Sequence, residues 1–214
     1  MSTIKPGQVG DFNGKIGQVV VSKWRELTVG RSAPRKTSKL PTDKQMVVRS
    51  KFALITAFIE KLKVYIALGY PKVVKNQSGR NIAVKYHLDN AVITSADGYE
   101  VDYEKVVLSR GDLFGVYDVE VKTLPNRELT VEWTIDVVAG DGTSVKDTVA
   151  FTAYCPELGT ATGSYPIAER GDLTASLNVM RAYAGKTVHA YMFLVSADGK
   201  RTSNSEYLGS YVIT

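Results

Sequence analysis

Two histidines, His87 and His189, one cysteine, Cys155, and an acidic run from Asp97 to Glu104 are the residues from which most site chemistry would have to be built. Neither histidine has a second His or Cys at a recognised metal-ligand spacing, so a transition-metal site is not expected. The run DGYEVDYE places Asp97, Glu100, Asp102 and Glu104 close together, and hard cations do take clustered oxygens. The order of a calcium loop is absent, however, and acids two apart on a strand share one solvated face. The chain lacks Gly-x-Ser-x-Gly and His-Glu-x-x-His, and Cys155 has no histidine near it in sequence to act as its base. Between Gly10 and Gly14 stand three residues where a phosphate loop has four, and Lys15 is followed by Ile16, so no hydroxyl is offered to magnesium. Arg-Gly-Asp occurs at Arg110 and at Arg170, each time just before an expected strand, where an Asp after Gly commonly bonds its own backbone. The expectation is a protein that is not an enzyme, with no catalytic residue, no cofactor and no metal.

Charge is the stronger signal. The net +5 divides sharply: residues 1–80 hold 16 Lys and Arg against 4 Asp and Glu, while residues 81–214 hold 11 against 18. A basic front can neutralise phosphates, and it can equally lie on the acidic back of a neighbouring copy. Lys23, Arg25, Arg31, Arg35, Lys36, Lys39, Arg49 and Lys51 are available for either role.

The elements that would position these residues follow from periodicity. Glycines at positions 7, 10, 14 and 17 make a turn-rich lead-in. Val19, Val20, Val21 and Trp24 read as a strand, and Leu27, Val29 and Arg31 as its hairpin partner across Arg25-Glu26. Pro34 and Pro41 then hold a basic arm extended. Thr42 with Gln45 forms a capping box, which predicts a helix over 42–69 of about seven turns, stopped by Gly69. Its apolar stripe runs through Val48, Phe52, Ile55, Ile59, Leu62 and Ile66, and Val47, Leu54, Phe58 and Tyr65 broaden it. One sheet would not cover so wide a stripe, so part of it is expected to be a protein interface.

After Arg80 the period shortens to two. Strands are expected over Ile82–Leu88, Lys105–Ser109, Val116–Lys122, Leu129–Val138, Lys146–Tyr154, Thr174–Arg181, Val188–Val195 and Tyr207–Ile213, separated by turns such as Ala96-Asp97-Gly98, Gly140-Asp141-Gly142 and Ala197-Asp198-Gly199. Strands at this spacing with no helix between them suggest an antiparallel, Ig-like sandwich. The expected fold is therefore mainly β with one long helix (α+β): a basic module over 1–80 and a sandwich over 81–214. The amino terminus has no apolar signal core and the helix is interrupted by Glu60, Lys61 and Lys63, so neither a secretory signal nor a membrane span is expected.

Gly14, Gly17, Val19, Val20, Trp24, Arg31, Ser32, Pro34, Thr42, Gln45, Arg49, Phe52, Gly69 and Tyr70 form the pattern of a Gly-rich start, W…RSxP hairpin and TxxQ…R..F helix. Together with VDYEKVVLSRGDL and the ending SADGKRTSNSEYLGSYVIT, that pattern resembles an uncharacterised domain-of-unknown-function family common in Bacteroidota. The resemblance brings no assigned activity. By analogy with small phage-associated structural proteins it implies a virion or assembly role, in the cytoplasm or in a particle. The leading expectation is thus a self-assembling structural protein whose interface uses Val20, Trp24, Arg31, Arg35, Lys36, Lys39, Arg49 and Phe58, with copies of itself or other assembly proteins as partners. Nucleic acid binding through the same basic residues is the alternative. A carbohydrate- or receptor-binding sandwich, using exposed rings among Tyr99, Tyr103, Tyr117, Tyr165 and Tyr183, is the third reading.

Overall fold

The computed structural model describes residues 2–4, 13–24, 27–35, 40–70, 73–74, 77–96, 98–135 and 142–214. Contacts divide the chain into a small unit, Met1–Asp43, and a large one, Lys44–Thr214. The sequence reading set its boundary after residue 80; the difference is the helical stretch, whose buried side chains join the core of the large unit.

The small unit is a four-stranded antiparallel sheet in the order β1 (Ser2–Ile4), β4 (Leu27–Ser32), β3 (Val19–Trp24), β2 (Gly14–Ile16). The β3–β4 hairpin has the expected register, with Trp24 opposite Leu27. Its Arg25-Glu26 turn lies outside the described residues, as do Gly7, Gly10, Lys36, Lys39, Asp97, Gly140 and Asp141. β2 and its turn to β3 are additions to the expectation: Gly17, at φ +56°, takes the left-handed conformation that a two-residue hairpin turn needs.

In the large unit the helical stretch is two helices, α1 (Asp43–Lys61) and α2 (Lys63–Gly69). The break falls at Leu62, whose N–H bonds to the carbonyl of Ile59 in a tightened turn. Gly69 has a second use beyond ending the helix. A Cβ there would collide with the carbonyl of Leu108 and with Ser109, and the Gly69 carbonyl accepts from the Arg110 N–H at 2.9 Å.

Residues 82–88 are not the expected strand. They belong to α3 (Gly79–Asn90), capped by Ser78, whose hydroxyl accepts from the Asn81 N–H. Ala83, Val84 and His87 form its buried face at helical spacing. The expected strand 105–109 is also absent: a 3₁₀ turn, Tyr103–Lys105, leads into irregular chain held by side chains, as where the Leu108 N–H donates to Ser205 Oγ at 2.8 Å. The pairs β5 (Val73–Val74) with β6 (Gln77–Ser78), and β7 (Val92–Ser95) with β8 (Gly98–Val101), form two small hairpins.

The remaining strands make the two antiparallel sheets of a sandwich. One has the order β13 (Thr174–Asn178), β10 (Glu128–Thr134), β9 (Tyr117–Leu124). The other has the order β12 (Thr160–Glu169), β11 (Thr148–Cys155), β14 (Thr187–Val195), β15 (Glu206–Val212). β12 was not foreseen from sequence. The fold is α+β, mainly β, with three helices among the described residues in place of one long one.

Alternation along β11 and β14 sorts two cores. Val149, Phe151, Ala153 and Cys155, with Val188, Ala190, Met192 and Leu194, pack among Leu129, Val131 and Trp133 of the opposite sheet. Ala150 and Tyr154, with Tyr191, Phe193 and Val195, pack with Ile55, Phe58, Ile59, Leu62 and Ile66 of the helices. The central strands are therefore buried on both faces, and every residue from Val149 to Cys155 is buried.

Arg170 and Asp147, each 1% exposed, are a buried ion pair at one end of the sandwich. Arg170 Nε donates to Asp147 Oδ2 at 3.1 Å, and its two terminal nitrogens donate to the carbonyls of Phe114 and Gly115 at 2.7 Å each. Asp147 also accepts from the N–H groups of Ser144 and Ala197. Removing one partner of a buried pair strands the other charge, so Arg170→Met should cost about 3–5 kcal/mol, read by urea unfolding, with Arg170→Lys only partly restoring the loss.

His87 is fully buried, and its tautomer follows from its neighbours. Nδ1 donates to the Ala83 carbonyl at 2.7 Å, so Nε2 is the acceptor for the Val107 N–H at 3.2 Å. Burial holds the imidazole's pKa below its usual value. The folded state then binds fewer protons than the unfolded state, so stability is greatest above the unfolded histidine pKa, about 6.5, and declines as the pH falls below it. Urea midpoints should drop between pH 7 and pH 5, and His189→Gln should leave most of that slope in place.

Candidate functional site

The described sequence-selected residues fall into two groups. Arg31 and Arg35 of the small unit are exposed and Val20 is half-buried. Lys36 and Lys39, and the side chain of Trp24, lie outside the described residues. In the small unit only Val21 and Gly30 are buried among the described residues, while Ile16, Val19 and Leu27 are 62, 48 and 40% exposed. A sheet this small has too little apolar area to make a core of its own.

In the large unit Arg49 is exposed on α1, and Phe58 is 4% exposed. Phe58 was expected at an interface; it is instead a core residue, edge-on to Tyr154 at 4.9 Å between ring centres. The apolar stripe of α1 changes character along its length. Ile55, Phe58 and Ile59 are buried, but Met46, Val47, Val48 and Phe52 are 49, 39, 66 and 51% exposed. Within the large unit, then, the first three turns of the helix keep core-type residues in solvent, beside the cations Arg49 and Lys51. Val47, Val48 and Phe52 were visible in the sequence as stripe members; the end of the stripe left open was not.

An aromatic cluster lies at the other end of α1. Phe58, Tyr103 and Tyr154 surround one another with ring centres 4.9–6.1 Å apart, and Tyr103 stacks on His189 at 4.0 Å. His189 Nδ1 lies 2.9 Å from the Tyr207 hydroxyl. Burial pushes Tyr103 up to about 12, chiefly by desolvation with a smaller contribution from Tyr154. Tyr99, on the neighbouring hairpin, carries the Lys51 ammonium 4.8 Å from its ring centre.

The acidic run is not one strand face. β8 ends at Val101, Asp102 pairs with Lys105 at 2.7 Å, and Glu100 and Glu104 are exposed. Among the described residues no group of three or more His, Cys, Asp or Glu is arranged to hold a metal ion. Neither Arg-Gly-Asp is a free loop. Arg170 is the buried pair residue and Asp172 closes a capping box with Glu169. Arg110 lies over the Tyr86 ring, and Asp112 pairs with Arg201 at 3.2 Å. Among the described helices, none is long and apolar enough to cross a membrane.

Residues 11–209 match a family described as "Family of unknown function (DUF6266)". The chain belongs to DUF6266. The match spans both units, so the basic sheet, the helices and the sandwich are parts of one family pattern. No curated protein matches the chain.

The contrast along α1 can be measured. Phe58→Ala should lower stability by about 3–5 kcal/mol, because it opens a cavity between helix and sheet. Phe52→Ala, half-exposed, should stay within about 0.5 kcal/mol in the isolated chain. Equal losses at both positions would show that the outer turn is covered.

Proposed function

We propose that the protein is a non-enzymatic structural subunit that assembles with further copies of itself, using the outer turns of α1. The observation that supports this is the exposure of Met46, Val47, Val48 and Phe52 on a helix whose continuation is core. Fully burying side chains of this size is worth about 1.5–3 kcal/mol each. Nucleic acid backbone offers no apolar surface to collect that energy; another protein does. The small sheet supports the same reading, since the cross-strand pair Ile16 and Val19 is exposed on one face, and Leu27 and Arg31 are exposed on the other. A place in a phage particle, or in a Bacteroidota host, is the narrower form of this proposal and rests on analogy with small phage-associated proteins.

Light scattering coupled to size exclusion tests it. The wild-type protein should form oligomers whose population rises with concentration, and Val48→Glu with Phe52→Glu should return it to monomer without changing its circular dichroism. A wild-type protein that stays monomeric at every concentration overturns the proposal. DNA retardation at low salt that weakens linearly in log salt would instead favour nucleic acid as the partner.

A further inference from the structure

The chain holds half of its twelve tyrosine hydroxyls in internal hydrogen bonds. Those of Tyr70, Tyr165, Tyr183, Tyr191, Tyr207 and Tyr211 each take part in a hydrogen bond. Among the described residues, the hydroxyls of Tyr86 and Tyr117, at separate places, make none, and neither do those of Tyr99, Tyr103 and Tyr154. All three residues line the same cleft of about 510 Å³, bounded by α1, by β8 and by the turn after β11. Tyr154 is only 8% exposed, yet no buried side-chain nitrogen or oxygen lacks a partner among the described residues. Its hydroxyl must therefore reach solvent, and the cleft is the opening it lines.

The other lining groups define what could fill that space. Leu54, Phe58 and Val101 give an apolar wall. Lys61 and Glu100, exposed at the cleft, bring one charge of each sign, and neither is ion-paired among the described residues. An anion would meet the Glu100 carboxylate and a cation the Lys61 ammonium, so a ligand with net charge is disfavoured. A zwitterionic amino acid could match the two charges, but its apolar side chain would then cover unpaired phenol hydroxyls, which is costly. A sugar ring meets every condition: carbon–hydrogen faces for the aromatic and aliphatic wall, and adjacent hydroxyls that both donate and accept.

We propose that this cleft binds a neutral sugar residue, with Glu100 accepting from and Lys61 donating to its hydroxyls, and with Tyr99, Tyr103 and Tyr154 completing the hydrogen bonds. The site lies at the inner end of α1 and is independent of assembly through the outer turns. Desolvation holds Tyr103 and Tyr154 above the ordinary phenol pKa, so both remain protonated donors at neutral pH.

A neutral-glycan array followed by titration calorimetry with the best binder tests the site, alongside Glu100→Gln and Tyr103→Phe. Wild type should bind at least one neutral glycan. Each variant should weaken it about tenfold, the worth of one hydrogen bond to a charged or buried polar group. Glu100 is exposed, so Glu100→Gln should keep the wild-type urea midpoint and exclude misfolding as the cause. No glycan bound at about 10 mM, unchanged affinity in both variants, or displacement of the glycan by free phenylalanine would each overturn the proposal.

Discussion

Arg170 and its carboxylate partner Asp147 are the constraint on which the sandwich depends. A guanidinium at 1% exposure is tolerable only if its nitrogens are engaged, and here they bond one carboxylate and two backbone carbonyls. Three separate segments meet there: the chain before β9 and the turn before β11 supply the partners, and Arg170 itself stands in the 3₁₀ turn after β12. Trp133 of β10 adds a fourth, donating its indole N–H to the Arg170 carbonyl at 2.9 Å. Loops that would otherwise be free at one end of the two sheets are thereby fixed to one another. An Arg-Gly-Asp triplet that resembles a recognition signal is, at this position, an internal fastening.

With that end fixed, the four-stranded sheet can sit between two apolar layers. Its central strands give one face to the opposite sheet and the other to the helices, so β11 and β14 are buried on both faces over most of their length. The cost of such a middle layer is that polar side chains within it must find partners. Thr152 Oγ1 donates to the Thr162 carbonyl, and the Tyr191 hydroxyl donates to the Tyr103 carbonyl. The residues that do not follow this rule, the three cleft tyrosines and the outer turns of α1, stand out against it. Under the proposed readings both are binding surfaces, the cleft polar and aromatic, the outer turns apolar.

Much of this was legible in the residues. β10, β11, β14 and β15 are long runs rich in β-branched and aromatic side chains, and they form close to where those runs lie. The helical stretch announced itself by its apolar stripe, but the break at Leu62 that divides it into α1 and α2 did not. β12 did not, because Thr-Ala-Thr-Gly-Ser-Tyr-Pro carries Gly163 and Pro166, residues that normally end strands. Gly163 is required there all the same, since a Cβ would collide with the Tyr65 hydroxyl and the Phe151 carbonyl. α3 was misread because Ile-Ala-Val-Lys-Tyr-His-Leu alternates well enough to imitate a strand, and only the Ser78 cap speaks for a helix.

The sequence alone determined the fold class and the basic front, because these rest on composition and on periods of two and 3.6 residues. Tertiary structure decided which members of each stripe are covered. Phe52 and Phe58 stand on the same helix with the same chemistry, yet one meets the sheet and the other extends past it, and no local pattern records where a neighbouring layer ends. Tyr154 and Tyr191 likewise read alike in the chain. Whether a phenol finds an internal partner depends on backbone that is 88 residues away for Tyr191, and that distance is closed only by folding.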